Sequence, residues 1–169
     1  MAYTTIDDGS AHFHAQTYTG NGSSGHSITN NANAGDFKPD WLIIKPLSSG
    51  DNSVVFDSTR TSNKRLKANS SDAEDSDGTA QVTFESDGFD LDTTDGNFNG
   101  NGTTYVAWQW KCNGGTTSTN NDGSVAVTLQ TSSDAGFSIG TFTGTGNSSG
   151  TIGHGLGAKP DWLIVKRRD

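Results

Sequence analysis

Apolar and polar residues alternate along much of the chain, and clusters of turn-forming residues interrupt the pattern roughly every 8–12 residues. No apolar period of 3.6 residues persists beyond one or two turns, so the pattern predicts an all-β chain. One stretch, residues 60–78, fits less well. It is predicted to hold a strand near residues 65–68, a long loop and one helical turn near residues 70–75. The predicted strands cover residues 2–6, 12–20, 40–46, 53–58, 79–85, 88–91, 103–112, 124–130, 136–143 and 160–167.

Two kinds of strand are expected. The runs "WLIIK" (41–45) and "WLIVK" (162–166) are apolar on both faces, which is typical of central strands covered on both sides. The run "TYVAWQWKC" (104–112) alternates instead, and one of its faces should be core while the other is half exposed. The predicted core face carries Val106, Trp108, Trp110 and Cys112, and the predicted exposed face carries Tyr105, Ala107, Gln109 and Lys111. Antiparallel strands with one buried face each predict a two-sheet β-sandwich.

The chain contains an internal repeat. The hexapeptide "KPDWLI" occurs at residues 38–43 and again at 159–164. Upstream, Phe13 corresponds to Phe137 and Ile28 to Ile152, an offset of 124 residues that falls to 121 at the hexapeptide. We therefore predict a β-sandwich module at residues 1–121 and the N-terminal part of a second, truncated module at residues 122–169.

The truncated copy has three alternative fates. Its strands could complete the first sandwich, pair with another chain, or belong to a protein that continues past Asp169. We expect the last, with the final strands packed on a neighbour, because the apolar "WLIV" run (162–165) would otherwise lie on an open sheet edge.

Composition narrows the classes of function. The net charge of −8 and the pI of about 4.7 argue against a nucleic-acid partner. The opening residues are polar and acidic, so neither a signal peptide nor a membrane span is expected. With Cys112 as the only cysteine in the sequence, no intrachain disulfide is available.

Large aromatic side chains are the first candidates for a site. A tryptophan ring could stack on a sugar, but these tryptophans lie in apolar strands and are predicted to be structural core. They are Trp41, Trp108, Trp110 and Trp162. Tyr105, on the opposite strand face, is the better candidate for an exposed carbohydrate-binding aromatic.

The loop at residues 90–102 is the second candidate. Its oxygen-bearing side chains within eight residues would suit a sugar or, as the one cofactor to consider, calcium. The spacing does not reproduce the EF-hand pattern in full, and a hairpin loop with Asx-turns is the simpler interpretation. The side chains concerned are Asp92, Asp95, Asn97 and Asn99.

Catalytic signatures are weak. Glu74 and Glu85 are the only glutamates, no pair of carboxylates matches a glycosidase pattern, and no nucleophile lies in a G-x-S-x-G motif. His12 and His14 share one strand face and could ligate a metal with a third residue, but exposed strand histidines are the simpler interpretation. We predict a protein that is not an enzyme and has no catalytic residues.

Charged residues are expected to form structural contacts, within the chain or with a neighbouring subunit. Asp57 and Arg60 should form an ion pair that locks one loop. The basic runs "KRLK" (64–67) and "KRR" (166–168) are expected to meet an acidic surface on a neighbouring subunit.

The residues then point to a family. The runs "FKPDWLIIK", "VVFDSTR", "KRLKANSSDAE" and "FESDGFDLDTTDGNFNGNGTTYVAWQWKCNGG" resemble a module of marine bacteriophage fibre-like or adhesin-like virion proteins. That module, often found in tandem, resembles concanavalin A-like lectin sandwiches. The resemblance implies an all-β antiparallel β-sandwich (a concanavalin A-like jelly roll) in a virion structural protein, placed in the N-terminal region of a tail or head fibre.

The resemblance also implies partners. They are other virion proteins, further copies of the chain, with a trimer favoured, and host surface glycans. The alternatives are a carbohydrate-binding, lectin-like adhesion module and, less favoured, a polysaccharide depolymerase.

Overall fold

The computed structural model describes residues 6, 8–30, 36–76 and 78–169, so the predicted strand at 2–6 falls almost wholly outside the described residues. Every ladder between the strands is antiparallel, which confirms the all-β fold. The strands are β1 (Phe13–Thr19), β2 (His26–Thr29), β3 (Trp41–Pro46), β4 (Val54–Asp57), β5 (Lys64–Lys67), β6 (Asp75–Ser76), β7 (Val82–Glu85), β8 (Gly88–Leu91), β9 (Thr104–Trp110), β10 (Ser118–Asn120), β11 (Val127–Ser132) and β12 (Phe137–Phe142). The described residues also form a 3-10 turn at Gly9–Ala11 and a short α-helix, α1 (Gly96–Asn99).

Two sheets form the sandwich. One has six strands in the order β1-β9-β3-β4-β5-β6, and the other has three in the order β2-β8-β7. The core between them takes alternate side chains from β3, β4 and β9 on one side and from β2, β7 and β8 on the other, and α1 closes one end. Its buried members are Ile28, Leu42, Ile44, Val54, Phe56, Val82, Phe89, Leu91, Phe98, Tyr105 and Ala107.

Strand β3 is the central strand that its sequence predicts. It pairs with β4 on one edge and with β9 on the other. Leu42 and Ile44 point into the core and are 0% exposed, while Trp41 lies on the opposite face, in register with Trp110. Both faces of this strand are therefore at least partly covered.

The predicted orientation of β9 is wrong. Tyr105, Ala107 and Gln109 are all 0% exposed and face the core, whereas Trp108 and Trp110 are half-buried on the outer face of the six-stranded sheet. Each of the two polar side chains on this face makes a hydrogen bond, although Gln109 Oε1 is buried without a partner among the described residues. The Tyr105 hydroxyl donates to the Gly96 carbonyl oxygen (2.6 Å), and Gln109 Nε2 donates to Asn30 Oδ1 (2.8 Å).

A third sheet, β10-β11-β12, packs on the outer face of the six-stranded sheet. The ring centroids of Phe137 in β12 and Trp41 in β3 are 5.7 Å apart. In β11, Gln130 is 1% exposed and its Nε2 donates to Ser58 Oγ and Thr59 Oγ1, both at 2.8 Å. An aromatic contact and a buried amide thus join the second copy of the repeat to the first.

The repeat is only partly reproduced in structure. Strand β12 corresponds to β1, as predicted, but the predicted strand at residues 160–167 is wrong because these residues form no β-ladder. Trp162 is 72% exposed, so its predicted place in a core is also wrong. A strand with the sequence of β3 needs a neighbour on each edge, and in the described residues none lies beside this segment.

Candidate interaction surfaces

The predicted calcium or sugar loop folds around α1. Asp95 caps this helical turn, because its Oδ1 accepts from the backbone N–H of Asn97 at 2.8 Å, and its Oδ2 accepts from Arg65. Burial alone would raise the pKa of Asp95, but the bonds from Arg65 and Asn97 outweigh it and the pKa lies below its usual value. Asp92 is engaged as well, since its Oδ2 accepts from Thr83 Oγ1 at 2.7 Å.

The two asparagines of this loop are also bound by the protein. Asn99 is 0% exposed, and its Nδ2 donates to the carbonyl oxygens of Ser23 and Thr93, both at 2.8 Å. Asn97 Nδ2 donates to Asp95 Oδ1 at 2.6 Å. The structure thus brings the four predicted residues into one loop, where they hold the loop together. Over the described ranges, no group of three His, Cys, Asp or Glu side chains could hold a metal ion.

Tyr105 does not occupy the exposed position predicted for it. It is 0% exposed, and its ring stacks on Tyr18 with the centroids 5.1 Å apart. Its hydroxyl is enclosed by α1, as described above, and also accepts from the backbone N–H of Gly100 at 2.8 Å. The interpretation of Tyr105 as an exposed sugar-stacking residue is therefore wrong.

Three aromatic rings on the outer face of the six-stranded sheet and one from the third sheet form a row. Trp110 lies 4.8 Å from Phe13 and 4.7 Å from Trp41, measured between ring centroids, and Trp41 in turn contacts Phe137. Trp41 and Trp110 are thus half-buried beneath the third sheet and lie outside the main core in which we predicted them. Trp108, also predicted to be core, lies on the same outer face.

An open cleft of about 420 Å³ lies beside β1. It is lined by Ala15, Gln16 and Thr17 from this strand and by Val106 from β9. The small side chains Ala15 and Thr17 are exposed, and Ala15 is in register with Trp108.

The two strand histidines are half-buried, contrary to the prediction of exposed side chains. His12 Nδ1 and His14 Nε2 are buried and have no hydrogen-bond partner among the described residues. No metal-binding group includes them within the described part of the chain.

A buried ion-pair network fastens residues 166–168 to the sandwich. The predicted pair is confirmed: Arg60 Nε lies 2.6 Å from Asp57 Oδ2, and the same guanidinium reaches Glu74 Oε2 at 2.9 Å. Arg168 then contacts both oxygens of Glu74, at 2.7 and 2.8 Å. Lys166 Nζ donates to the carbonyl oxygen of Asp72 at 2.8 Å.

The network acts on the carboxyl of Glu74, whose side chain is 7% exposed. The hydrogen bonds from Arg168 lower the pKa of Glu74 most, burial opposes them, and Arg60 lowers it further, to about 2. Arg168 therefore has its acidic partner in the same chain, and the expectation of a neighbouring subunit for this residue is wrong.

Just before this anchor, four consecutive apolar residues point into solvent. Trp162, Leu163, Ile164 and Val165 are 72%, 74%, 53% and 66% exposed. We call residues 162–165 the apolar tail segment. The matching leucine of the first hexapeptide, Leu42, is 0% exposed. The signal in the sequence was the repeated hexapeptide, and the structure adds that its second copy lies uncovered.

The aspartate of each hexapeptide shows why the two copies differ. Asp40 is 0% exposed and accepts hydrogen bonds from Ser58 Oγ (2.5 Å) and from the backbone N–H groups of Cys112 (2.6 Å) and Gly114 (2.9 Å). These donors follow β4 and β9. Asp161 is exposed. The second hexapeptide therefore lacks the neighbours that hold the first in place.

No helix among the described residues is long and apolar enough to cross a membrane. No curated protein and no solved structure matches the chain. One family model matches residues 8–169 and so spans both copies of the hexapeptide. The chain therefore belongs to the family described as a domain of unknown function, DUF7483.

Proposed function

We propose that the chain is a non-enzymatic structural protein of a bacteriophage particle, in the N-terminal region of a tail or head fibre. There it assembles with other virion proteins and takes part in host attachment. The observation that carries this proposal is the apolar tail segment, whose four side chains are 53–74% exposed.

The exposure of four large apolar side chains favours their burial against a partner. Fully burying one large aliphatic or aromatic side chain stabilises a complex by about 1.5–3 kcal/mol, and four such residues are contiguous here. Residues 162–165 also form no β-ladder with the described residues, so their backbone N–H and C=O groups can pair with another strand. An assembling protein uses both features.

The chemistry of two reactive side chains supports a role other than catalysis. Glu74, with a pKa of about 2, is ionised at neutral pH and has no proton to give as a general acid. Burial, reinforced by the charge of Asp40, raises the pKa of the Cys112 thiol to about 12, so it stays protonated and is a poor nucleophile.

The proposed oligomeric state follows from the resemblance to fibre proteins. Fibre proteins form closed symmetric oligomers, and a trimer is the state we propose, with other virion proteins as further partners. The −8 net charge of each chain favours solubility before assembly.

The test is to locate the chain on particles. Antibodies against the folded chain, bound to gold, are applied to purified particles of the phage that encodes it, and mass spectrometry is run on the same preparation. Labelling of fibre-like appendages is the expected result. If the chain occurs in the lysate but not in purified particles, the proposal fails.

A second candidate function is carbohydrate binding, favoured by the cleft of about 420 Å³ lined by small exposed side chains of β1. A glycan array would show binding that is lost on Val106→Glu inside the cleft. The same change at Thr119, on the third sheet, should preserve it. Release of reducing ends from a host polysaccharide would instead favour a depolymerase.

A further inference from the structure

We infer that residues 160–166 of one copy add as an antiparallel strand to the open edge of β12 in a second copy of this chain. The inference rests on the proposed assembly role and names its partner. It is carried by the donor segment, the acceptor edge and the charges of the two surfaces.

The first hexapeptide shows what the donor segment does when it has neighbours. In β3, the same residues pair antiparallel with β9 over six positions, from Trp41 opposite Trp110 to Pro46 opposite Tyr105. In the second copy, residues 160–166 form no ladder. The segment thus has the composition of a central strand and lacks strand neighbours.

The acceptor edge belongs to β12. By the repeat, β12 corresponds to β1, and β1 is paired with β9 along its full length. On one side β12 pairs with β11, and no strand of the described residues pairs with its other edge. Phe142, at the end of this edge, is 41% exposed. A strand with two apolar faces fits such a place.

The tail is held close to this edge without pairing to it. Arg168 shares a cleft of about 220 Å³ with Thr141 and Phe142 of β12, while its guanidinium is bound to Glu74. Because the anchor ties one end of the exposed residues 162–165 to the sandwich, less conformational entropy is lost when they pair with a strand.

Charge favours a second copy as the occupant. Residues 159–169 contain four basic and two acidic side chains, whereas the chain as a whole has a net charge of −8. Arg168 is paired with Glu74 of its own chain, but Lys159 and Arg167 are exposed and attract the acidic body of a second copy. Since the edge and the strand come from the same repeat, each copy supplies both halves of the contact.

The test uses variants at exposed positions, which leave the fold of the single chain intact. Leu163→Asp removes the donor, Phe142→Lys blocks the acceptor, and Leu47→Asp is the matched control because Leu47 is 56% exposed elsewhere. Mass is followed against concentration by analytical ultracentrifugation, and unchanged thermal unfolding confirms each fold. The wild-type chain and the control should self-associate, with association weakened about tenfold or more in the other two, the effect of losing one buried leucine.

Mixing the two defective variants separates this contact from other modes of association. The Leu163→Asp chain still offers its β12 edge, and the Phe142→Lys chain still offers its tail. Their mixture should form pairs although neither variant does so by itself. Failure of the mixture to pair, or a wild-type chain that stays single at all concentrations, overturns the inference. Labelled particles with single chains in solution would leave the proposed function standing, and pairing without particle labelling would leave the inference standing.

Discussion

At the scale of residues, the carboxylate of Asp40 connects three parts of the chain. Its hydrogen bonds come from Ser58, after β4, and from Cys112 and Gly114, after β9. The Asp40 backbone N–H also donates to the Trp110 carbonyl oxygen at 2.7 Å. This buried carboxylate therefore fixes the start of β3 against both neighbouring strands.

Replacing Asp40 with Ala should lower the free energy of unfolding by about 3 kcal/mol, because buried N–H donors lose a charged acceptor. Urea unfolding at neutral pH measures the change. The control is Asp161→Ala, the same residue of the second hexapeptide, which is exposed and should shift stability by less than about 0.5 kcal/mol. Equal losses at the two positions would show that the hexapeptides have equivalent surroundings.

Glu74 gives a dependence of stability on pH. Its pKa falls from 4.5 to about 2 on folding, so the stabilisation is fully present above pH 4.5 and is lost as pH falls through about 2. Unfolding midpoints measured from pH 5 to pH 2 should therefore decline less steeply in Glu74→Gln than in the wild-type chain. Glu85→Gln, at an exposed glutamate, is the control and should retain the wild-type slope.

Residue-scale expectations from the sequence succeed where partners are close in the chain. Asp57 and Arg60 are three residues apart, and their ion pair is confirmed. The partner of Gln109, by contrast, is Asn30, 79 residues away, and no local pattern indicates that the buried amide nitrogen finds an acceptor there. The four predicted loop residues are brought together, but their hydrogen bonds join them to one another and to neighbouring strands.

At the scale of elements, alternation locates strands better than it orients them. The predicted strand at 88–91 coincides with β8, and the strand predicted near 65–68 overlaps β5. Both faces of β9 carry large side chains. Judged by side-chain type alone, the face with the tryptophans is the more hydrophobic, and it was therefore predicted to be core. The other face is the core because the Tyr105 hydroxyl and the Gln109 amide find partners.

The pattern of apolar and polar residues does not predict the shortest elements. The sequence did not predict β2, β10 or α1, each of which has only three or four residues, and the helical turn predicted near 70–75 is wrong. The chain there bends and enters β6 instead. Elements of this length are stabilised by their neighbours and have too few residues to show a period.

The two hexapeptides provide an element-scale prediction. Leu42→Ala should lower the free energy of unfolding by about 2–5 kcal/mol, since a fully buried leucine leaves a cavity. Leu163→Ala should change it by less than about 0.5 kcal/mol because Leu163 is 74% exposed. Chemical unfolding at low protein concentration compares the two, and a large loss at Leu163 would indicate that the tail packs on its own chain.

At the scale of the whole molecule, the hexapeptide lies in a paired strand in its first copy and in an exposed, unpaired segment in its second. The two copies differ because their surroundings differ. The first copy lies between β4 and β9, and the second has no described strand beside it. Sequence predicted the repeat and the need of its second copy for a neighbour, since an apolar run on both faces requires cover. It could not predict the anchor at Glu74, which brings together residues 94 positions apart.

The central claim is that the apolar tail segment is open in a single chain and becomes covered on assembly. Hydrogen–deuterium exchange of peptides spanning residues 41–46 and 160–166, followed from low to high protein concentration, tests it most directly. We predict that amides of 41–46 are protected throughout and that amides of 160–166 gain protection only as the chain associates. Protection of 160–166 at the lowest concentration, or its absence in associated chains, would contradict the account.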